Sequence, residues 1–374
     1  MAADGHDDVG KEQWEFSRRR FLRYAGGAAA AGSAYAGLAG LLGAEGANAA
    51  TLARENSDTA LFASHPKYKF VMVNHVTTNS FFTATIYGLQ DACAITGCSY
   101  QWTGSQTAVV SEMVSAMDAA IAGKANGIGV CLVDNTAFNK PTDNALGGGI
   151  PVIAYNADVS AGVPNNRMAY VGQNNLTAGA AVGNQILRLG VKKGDKVAGV
   201  IATPGTGNIQ PRIDGAKPVL TQAGVKFEEV GTSATEGAPE YNKISAWFAG
   251  HQDVKWMMAV DSGDSNAVAQ FIQKQGLKGK VGASVWDVGL PVVQAIQAGY
   301  VTATIDQQAY LQGFDTLMQL FLYNVSGGLM KPTNTDTGLG IVVQSNVGPY
   351  LAKNRFSGTS SKQQTLKPPS SVPH

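Results

Sequence analysis

From residue 70 onward the chain repeats one beat, and that beat restricts the fold more than any other feature. A short run of β-branched and apolar residues is followed by a polar or glycine-bearing turn, then by a stretch with apolar residues at helical spacing. Residues 70–74, 99–102, 127–133, 151–156, 197–202, 227–230, 256–260, 281–286 and 303–305 read as strands. Residues 81–96, 108–122, 175–189, 210–223, 241–250, 264–275, 288–298 and 310–325 read as helices. In the first helix Phe82, Ile86, Leu89 and Cys93 share one face, and Gly97 stops it. Several strands are apolar throughout rather than alternating, so both of their faces are covered. Strands of that kind belong to parallel sheets with helices on each side. The strands are too many for one small sheet, so two α/β lobes are predicted, each a doubly wound parallel sheet. In such sheets ligands sit beyond the carboxyl ends of the strands, and two facing lobes would share one cleft there.

The N-terminus carries a separate message. Ser17-Arg18-Arg19-Arg20-Phe21-Leu22 precedes a run rich in Ala, Gly and Leu over residues 24–42, and Ala47-Asn48-Ala49 follows. This is the pattern of a twin-arginine export peptide with a small-residue cleavage site. Cleavage is expected after Ala49, and the chain is expected to reach the periplasm already folded. The run is about as long as a membrane span, roughly 20 residues, but it is weakly hydrophobic and a cleavage site follows it. No Cys stands near that site to take a lipid. Residues 50–65 read as a leader, and residues 351–374, rich in Ser, Lys, Gln and Pro, as a flexible tail, with 355–374 expected to be disordered.

Composition excludes several function classes. Charged residues make up 15% of the 374 and the net charge is +1, so nothing draws nucleic acid or an anionic membrane electrostatically. The cysteines Cys93, Cys98 and Cys131 lack zinc-site spacing. In an oxidising compartment Cys93 and Cys98 can close a short loop, or all three can stay as thiols. The histidines form no ligand pair, and there is no nucleophile elbow or phosphate-binding lysine loop. Gly205-Thr206-Gly207 lies where an anion loop would, but without the further glycine and lysine it reads as a tight turn. No cofactor or metal site is therefore expected.

The strand ends, in contrast, carry polar and aromatic residues again and again. Asn79, Phe81 and Phe82 follow the first strand, and Asn156 ends the fourth. Arg212 and Tyr241 open helices, Asp261 and Asp287 end strands, and Gln307 follows the last strand. Amides, carboxylates and a guanidinium fork match sugar hydroxyls, and aromatic faces match the C–H faces of a sugar ring. Taken singly, Asn79 and Asp287 also read as helix caps and Phe81 as core. Their recurrence at successive strand ends is what favours a carbohydrate cleft.

Five segments in fixed order then resemble the sugar-binding proteins of ABC importers, the ribose-binding-like group of type I periplasmic binding proteins, over roughly residues 66–350. They are Asn79-Ser80-Phe81-Phe82, Gly149-Ile150-Pro151-Val152-Ile153, Gly172-Gln173-Asn174-Asn175, Arg212-Ile213-Asp214-Gly215 and Ala303-Thr304-Ile305-Asp306-Gln307. The resemblance implies two lobes, 66–171 with 308–336 and 172–307 with 337–350, joined by three crossings near Gly172, Gln307 and Thr337. It implies that Asn79, Phe81 and Phe82 bind and stack the ring from one lobe. Arg212, Tyr241, Asp261, Asp287 and Gln307 would bind from the other lobe and the hinge. It further implies a monosaccharide or polyol ligand, an ABC permease as partner, a monomer, and no catalysis. Ribose binders tend to carry an Asp-Arg pair where this chain has Asn156-Ala157, which points to a different sugar, a polyol or a furanose. The same architecture serves ligand-binding subunits of chemoreceptors or sensor kinases. A twin-arginine-exported enzyme would need a catalytic site that the sequence does not present. Sugar-responsive repressors share the fold, but the export peptide and the lack of a DNA-binding helix pair set this chain apart from them.

Overall fold

The computed structural model describes residues 62, 64–234 and 236–367. The twin-arginine segment and the Ala49 cleavage site lie outside the described residues. Met1–Ser64 and His65–His374 are two units, and the fold described below is that of the second.

That unit holds two six-stranded sheets. The first has the strand order β11-β5-β4-β3-β1-β2. It is built from β1 (Lys69–Asn74), β2 (Ser99–Gly104), β3 (Gly127–Val130), β4 (Val152–Tyr155), β5 (Ala169–Gly172) and the short β11 (Thr335–Asp336). Helices α1 (Thr83–Thr96), α2 (Val110–Ala122) and α3 (Asn139–Gly147) connect its first four strands. All its pairings are parallel. The second sheet runs β12-β10-β9-β8-β6-β7. Its strands are β6 (Lys196–Ile201), β7 (Lys226–Gly231), β8 (Val254–Ala259), β9 (Gly282–Trp286), β10 (Ala303–Asp306) and β12 (Gly340–Val342), the last antiparallel to β10. Helices α4 (Asn175–Arg188), α5 (Gln210–Gln222), α6 (Ala238–Ala249), α7 (Ser262–Lys274) and α8 (Leu290–Ala298) belong with it. Helix α9 (Ala309–Val325) returns to the first sheet, packing on α1 and buried along Leu317, Leu320 and Phe321.

The all-buried central strands are the physical reason for this architecture. β3 and β4 are buried at every position, and β8 and β9 at nearly every one. A strand without a polar face must be covered on both sides, and right-handed β-α-β crossovers supply that cover.

The chain passes between the sheets after β5, after β10 and after β11. Amide side chains hold these passages together. The Gln173 Nε2 donates to the Gly338 carbonyl (2.8 Å), the Gln308 Nε2 to the Thr337 carbonyl (2.7 Å), and the Thr337 hydroxyl to the Gln307 carbonyl (2.7 Å). An amide both donates and accepts, so it can satisfy buried backbone groups that no sheet ladder reaches.

The structure departs from the sequence reading at both short elements and the tail. Helix α3 and the strands β5, β11 and β12 were not anticipated, because their periods are too short or too polar to register. The expected disorder from residue 355 is corrected through residue 367: the chain turns after α10 (Gly348–Leu351), burying Asn354 within the turn and Arg355 against the first lobe. Arg355 finds an ion-pair partner in Asp91, 264 residues away, which no local composition reveals. Cys93 and Cys98 are free thiols, as is the buried Cys131. Among the described residues no helix is long and apolar enough to cross a membrane.

Candidate functional site

The carboxyl ends of the two sheets face a common interlobe cleft, and backbone geometry shapes its floor. Asn156 and Asp287 directly follow β4 and β9, and both adopt left-handed backbone (φ 61° and 70°). Asn and Asp tolerate that region better than other non-glycine residues, and such conformations cluster at binding sites. Both side chains are buried. The Asn156 Nδ2 donates to the Gln312 Oε1 at 3.0 Å and approaches the Gln307 Oε1 at 3.5 Å. The Gln307 Nε2 donates to the Asp287 Oδ1 at 2.7 Å. Asn156, Gln307 and Asp287 therefore form one relay from the first sheet, through the second crossing, to the other sheet.

Arg212 sits beside this relay because α4 and α5 pack unusually closely. A Cβ added to Gly179 would lie 2.1 Å from the Arg212 carbonyl, and one on Gly215 the same distance from the Leu176 carbonyl, so backbone meets backbone there. The contact brings the Asn175 Oδ1 to 3.0 Å from the Arg212 Nε, while Nη1 donates to the Val260 carbonyl at 2.6 Å. The guanidinium carbon lies 5.2 Å from the centre of the Trp286 ring. Trp286 is fully buried, and its Nε1 donates to the Gln173 Oε1 at 2.9 Å. One indole thus links the guanidinium to the first crossing. Burial pushes the Asp287 carboxyl up to about 6, against the opposing pull of Arg212 and Gln307. Burial lowers the Arg212 pKa in turn, and the negative charge of Asp287 offsets part of that.

From the first lobe, Phe81 reaches the cleft half-buried. It bounds an interlobe cavity of about 70 Å³ together with Ser262, Asn266, Trp286 and Asp287. Phe82 turns the other way: it is 2% exposed and packs on His75, Phe81 and Trp102. Its role is to support the wall rather than to face the cleft. Burial lowers His75 to about 4, so this imidazole is neutral. Asn79 caps the 3-10 helix Ser80–Phe82 through its Oδ1, and its Nδ2 donates to the Glu236 Oε1 at 2.5 Å. That bond crosses from one lobe to the other.

Asp261 lies at the second lobe's edge of the cleft but is occupied by backbone. It caps α7, accepting from the Asp264 N–H (2.9 Å), and its other oxygen accepts from the Ala202 N–H (3.2 Å). Tyr241 is not among the residues brought together. It lies against Phe271 and Lys274 on the helical layer, away from Asp287 and Arg212, because the first turn of α6 points Glu240 inward and Tyr241 along α7. Sequence reasoning passed over Trp102, Gln173, Glu236, Trp286 and Gln312. The strand-end position of the two tryptophans was legible, but their partners are more than 20 residues distant.

Among the described residues, Glu240, Asp261 and Asp264 are the one grouping of three potential metal ligands, with oxygens within 4.8 Å of one another. Burial pushes Asp264 up to about 10 and Glu240 up to about 8, with the Asp261 charge adding to both. An unfolded Asp titrates near about 3.9, so between that pH and 10 the folded state holds a proton that the unfolded state has lost. Stability therefore falls as pH rises through that window. Asp264→Asn is expected to be more stable than the parent at pH 8, with the difference shrinking toward pH 4. Urea unfolding at the two pH values checks this; an Asn variant less stable at pH 8 would contradict it.

A larger groove of about 460 Å³ runs along the β5 and β11 edge, beside Asp158, Tyr170, Asn175 and Asp336. None of the candidate residues lines it, whereas Phe81 and Asp287 line the smaller interlobe cavity.

The comparisons with known proteins bear on the family and the fold. Residues 70–325 match the periplasmic binding protein domain family. The chain is 43% identical over 309 residues to the xylose/arabinose-binding protein XylF of Sulfolobus acidocaldarius, covering 79% of this chain and 76% of that protein. It is 26% identical over 225 residues to the D-ribose/D-allose-binding protein of Pseudomonas aeruginosa, covering 58% and 68%. A solute-binding protein of an ABC transporter from Burkholderia graminis C4D1M, solved in complex with D-arabinose, superposes with a TM-score of 0.70 at 21% identity over 78% of this chain and all of that one. With a family match that runs from the first strand of one lobe to the helix that returns from the other, the chain belongs to the periplasmic binding protein family.

Proposed function

We propose that this chain is an exported solute-binding protein that captures a pentose-sized sugar or polyol between its lobes and delivers it to an ABC permease. The observation that carries the reading is the Asn156–Gln307–Asp287 relay beside Arg212, which gathers amide, carboxylate and guanidinium from both sheets at one cleft. The strong likeness to a xylose/arabinose-binding protein supports a pentose. An amide at Asn156, where ribose binders tend to carry a charged pair, supports a ligand other than ribose. Phe81 stacks on the C–H face of the ring. Arg212, Asp287, Gln307 and Asn156 bind its hydroxyls. Asp261 and Asn79 rim the site.

The cavity of about 70 Å³ is far below the roughly 300–1,000 Å³ of ordinary small-molecule pockets. Entry therefore requires the lobes to part by bending at the three crossings, and a bound sugar favours closure by touching both lobes. The relay donates and accepts hydrogen bonds without presenting an activated nucleophile, which supports binding without turnover.

Titration calorimetry against D-xylose, L-arabinose, D-ribose, hexoses and inositols tests the reading. At least one pentose is expected to bind and to be recovered unchanged. Phe81→Ala is expected to weaken that binding by about 1–3 kcal/mol with the fold intact. Absence of binding to every sugar, or recovery of a converted product, would overturn it. Export by the twin-arginine route predicts that replacing Arg18 and Arg19 by Lys leaves precursor in the cytoplasm. Normal export of that variant, followed by immunoblot of cell fractions, would count against the route.

A further inference from the structure

Beyond the three crossings, the chain joins the lobes once more. Helix α10 belongs to the second lobe: it packs on α8, and the Tyr350 hydroxyl donates to the Asp306 Oδ2 at 3.0 Å. Only four residues later the chain is anchored on the first lobe. Arg355 is 7% exposed, its Nε donates to the Asp91 Oδ2 at 2.7 Å, and its Nη2 donates to the Gln90 Oε1 at 2.9 Å. Its guanidinium carbon lies 4.4 Å from the centre of the Tyr87 ring. Asp91, Gln90 and Tyr87 all belong to α1. Asn354, 2% exposed, ties the turn together from the other side. Its Oδ1 accepts from the Ser357 N–H (2.7 Å), and its Nδ2 donates to the carbonyls of Pro349 (3.2 Å) and Ala352 (2.9 Å). Gly358, at φ 77°, lies so close to α1 that a Cβ there would stand 3.0 Å from the Ala84 nitrogen. Between these anchors Phe356 sets its ring edge-on to Tyr310 at 5.1 Å. Phe356 and Ser357 line the interlobe cavity together with Trp286, Asp287 and Phe81.

We propose that residues 352–367 form a strap that restrains opening of the lobes and supplies Phe356 as a gate at one mouth of the ligand cleft. The restraint follows from length. The chain from Leu351 to Arg355 can span at most about 14 Å when fully extended, so at this edge the lobes cannot part beyond that span while α10 and Arg355 both stay docked. Wider opening requires the Arg355–Asp91 pair, 8% and 15% exposed, to break together with the Arg355–Gln90 bond. Phe356 is half exposed, as suits a side chain that must swing to admit a ligand. The gating part of the proposal rests on the sugar-binding reading; the restraint does not.

The test uses the full mature chain with Arg355→Met and Asp91→Asn together, so that no buried charge is left alone, and separately a chain ending at Leu351. Small-angle scattering of the unliganded protein reads the opening. Stopped-flow tryptophan fluorescence with D-xylose or L-arabinose reads entry and release. Both variants are expected to show a larger radius of gyration than the parent without ligand, and sugar release faster by about tenfold. Phe356→Ala is expected to speed both entry and release without changing the radius. Circular dichroism shows which variants fold; should the shortened chain not fold, the double substitution, which leaves the backbone whole, decides. An unchanged radius in the double variant overturns the restraint, and unchanged rates in Phe356→Ala overturn the gate. If no pentose binds the parent chain, the sugar reading fails and the gate with it, while the scattering comparison still decides the restraint.

Discussion

Replacing Trp286 by alanine is expected to cost about 3–5 kcal/mol of folding stability, the usual range for deleting a fully buried indole. Trp286 ends β9 with no exposed surface and is among the largest buried side chains of the described residues. Three separate losses combine there. The cavity left behind cannot collapse easily, because Ile305 and Met258 on neighbouring strands share its core cluster and are held by the sheet. The Gln173 Oε1 loses the indole N–H at 2.9 Å, and an acceptor left buried without a donor costs about 1–3 kcal/mol. The Arg212 guanidinium loses the aromatic face 5.2 Å away. Urea unfolding measures the sum, and a loss below about 1 kcal/mol would show that the site relaxes around the gap. Trp286→Phe separates the contributions: it keeps most of the packing and removes the hydrogen bond, so its loss is expected to lie well below that of the alanine variant.

Arg212→Ala is expected to reduce sugar affinity by about tenfold to a hundredfold, corresponding to about 1.5–3 kcal/mol for a hydrogen bond to a charged group. The effect has a direct and an indirect part. Directly, the guanidinium fork is lost from the cleft. Indirectly, Asp287 loses the cation that opposes the upward effect of burial on its pKa. Its carboxyl then rises further above about 6 and holds its proton nearer neutral pH, where it can no longer accept two hydroxyls. The sign of the pH dependence follows. In the parent protein the acceptor form of Asp287 prevails above about 6, so affinity is expected to fall as pH drops through that value. In Arg212→Ala the fall is expected to begin at higher pH, and affinity should recover partly as pH is raised. Asp287→Asn should remove the pH dependence in both backgrounds. Calorimetric titrations between pH 5 and 9 check all three outcomes, and parallel pH profiles for parent and Arg212→Ala would rule out the coupling. Lysine is not an adequate substitute at Arg212, because one ammonium cannot satisfy both the Val260 carbonyl and the Asn175 amide in the fixed directions of the guanidinium.

Local pattern and tertiary contact divided the information unequally. The two-lobe parallel architecture was legible from residue 70 onward, because an all-apolar strand such as β3 or β4 has one physical outcome, a sheet covered on both faces. The strand-end residues Asn156, Arg212, Asp287 and Gln307 were legible as a group for a related reason: a doubly wound sheet brings its strand ends to one edge whatever the intervening length. The direction of each side chain was not. Phe81 and Phe82 are neighbours in sequence, yet one faces the cleft and the other the core, a difference set by the 3-10 turn that Asn79 caps. Tyr241 was expected to open its helix, but α6 begins at Ala238, and helix phase turns Glu240 inward and leaves Tyr241 against Phe271. The Trp286–Gln173 bond, the Asn79–Glu236 bond and the Arg355–Asp91 pair join residues 113, 157 and 264 positions apart. Hydrophobic periodicity is a property of a dozen neighbouring residues and is blind to such pairs. The sequence by itself determined the sheets, their helices and the edge to which the strand ends point. Only the tertiary structure decided which side chains meet at that edge and how the polar tail packs on the first lobe through Arg355, because both depend on the packing of elements that are remote along the chain.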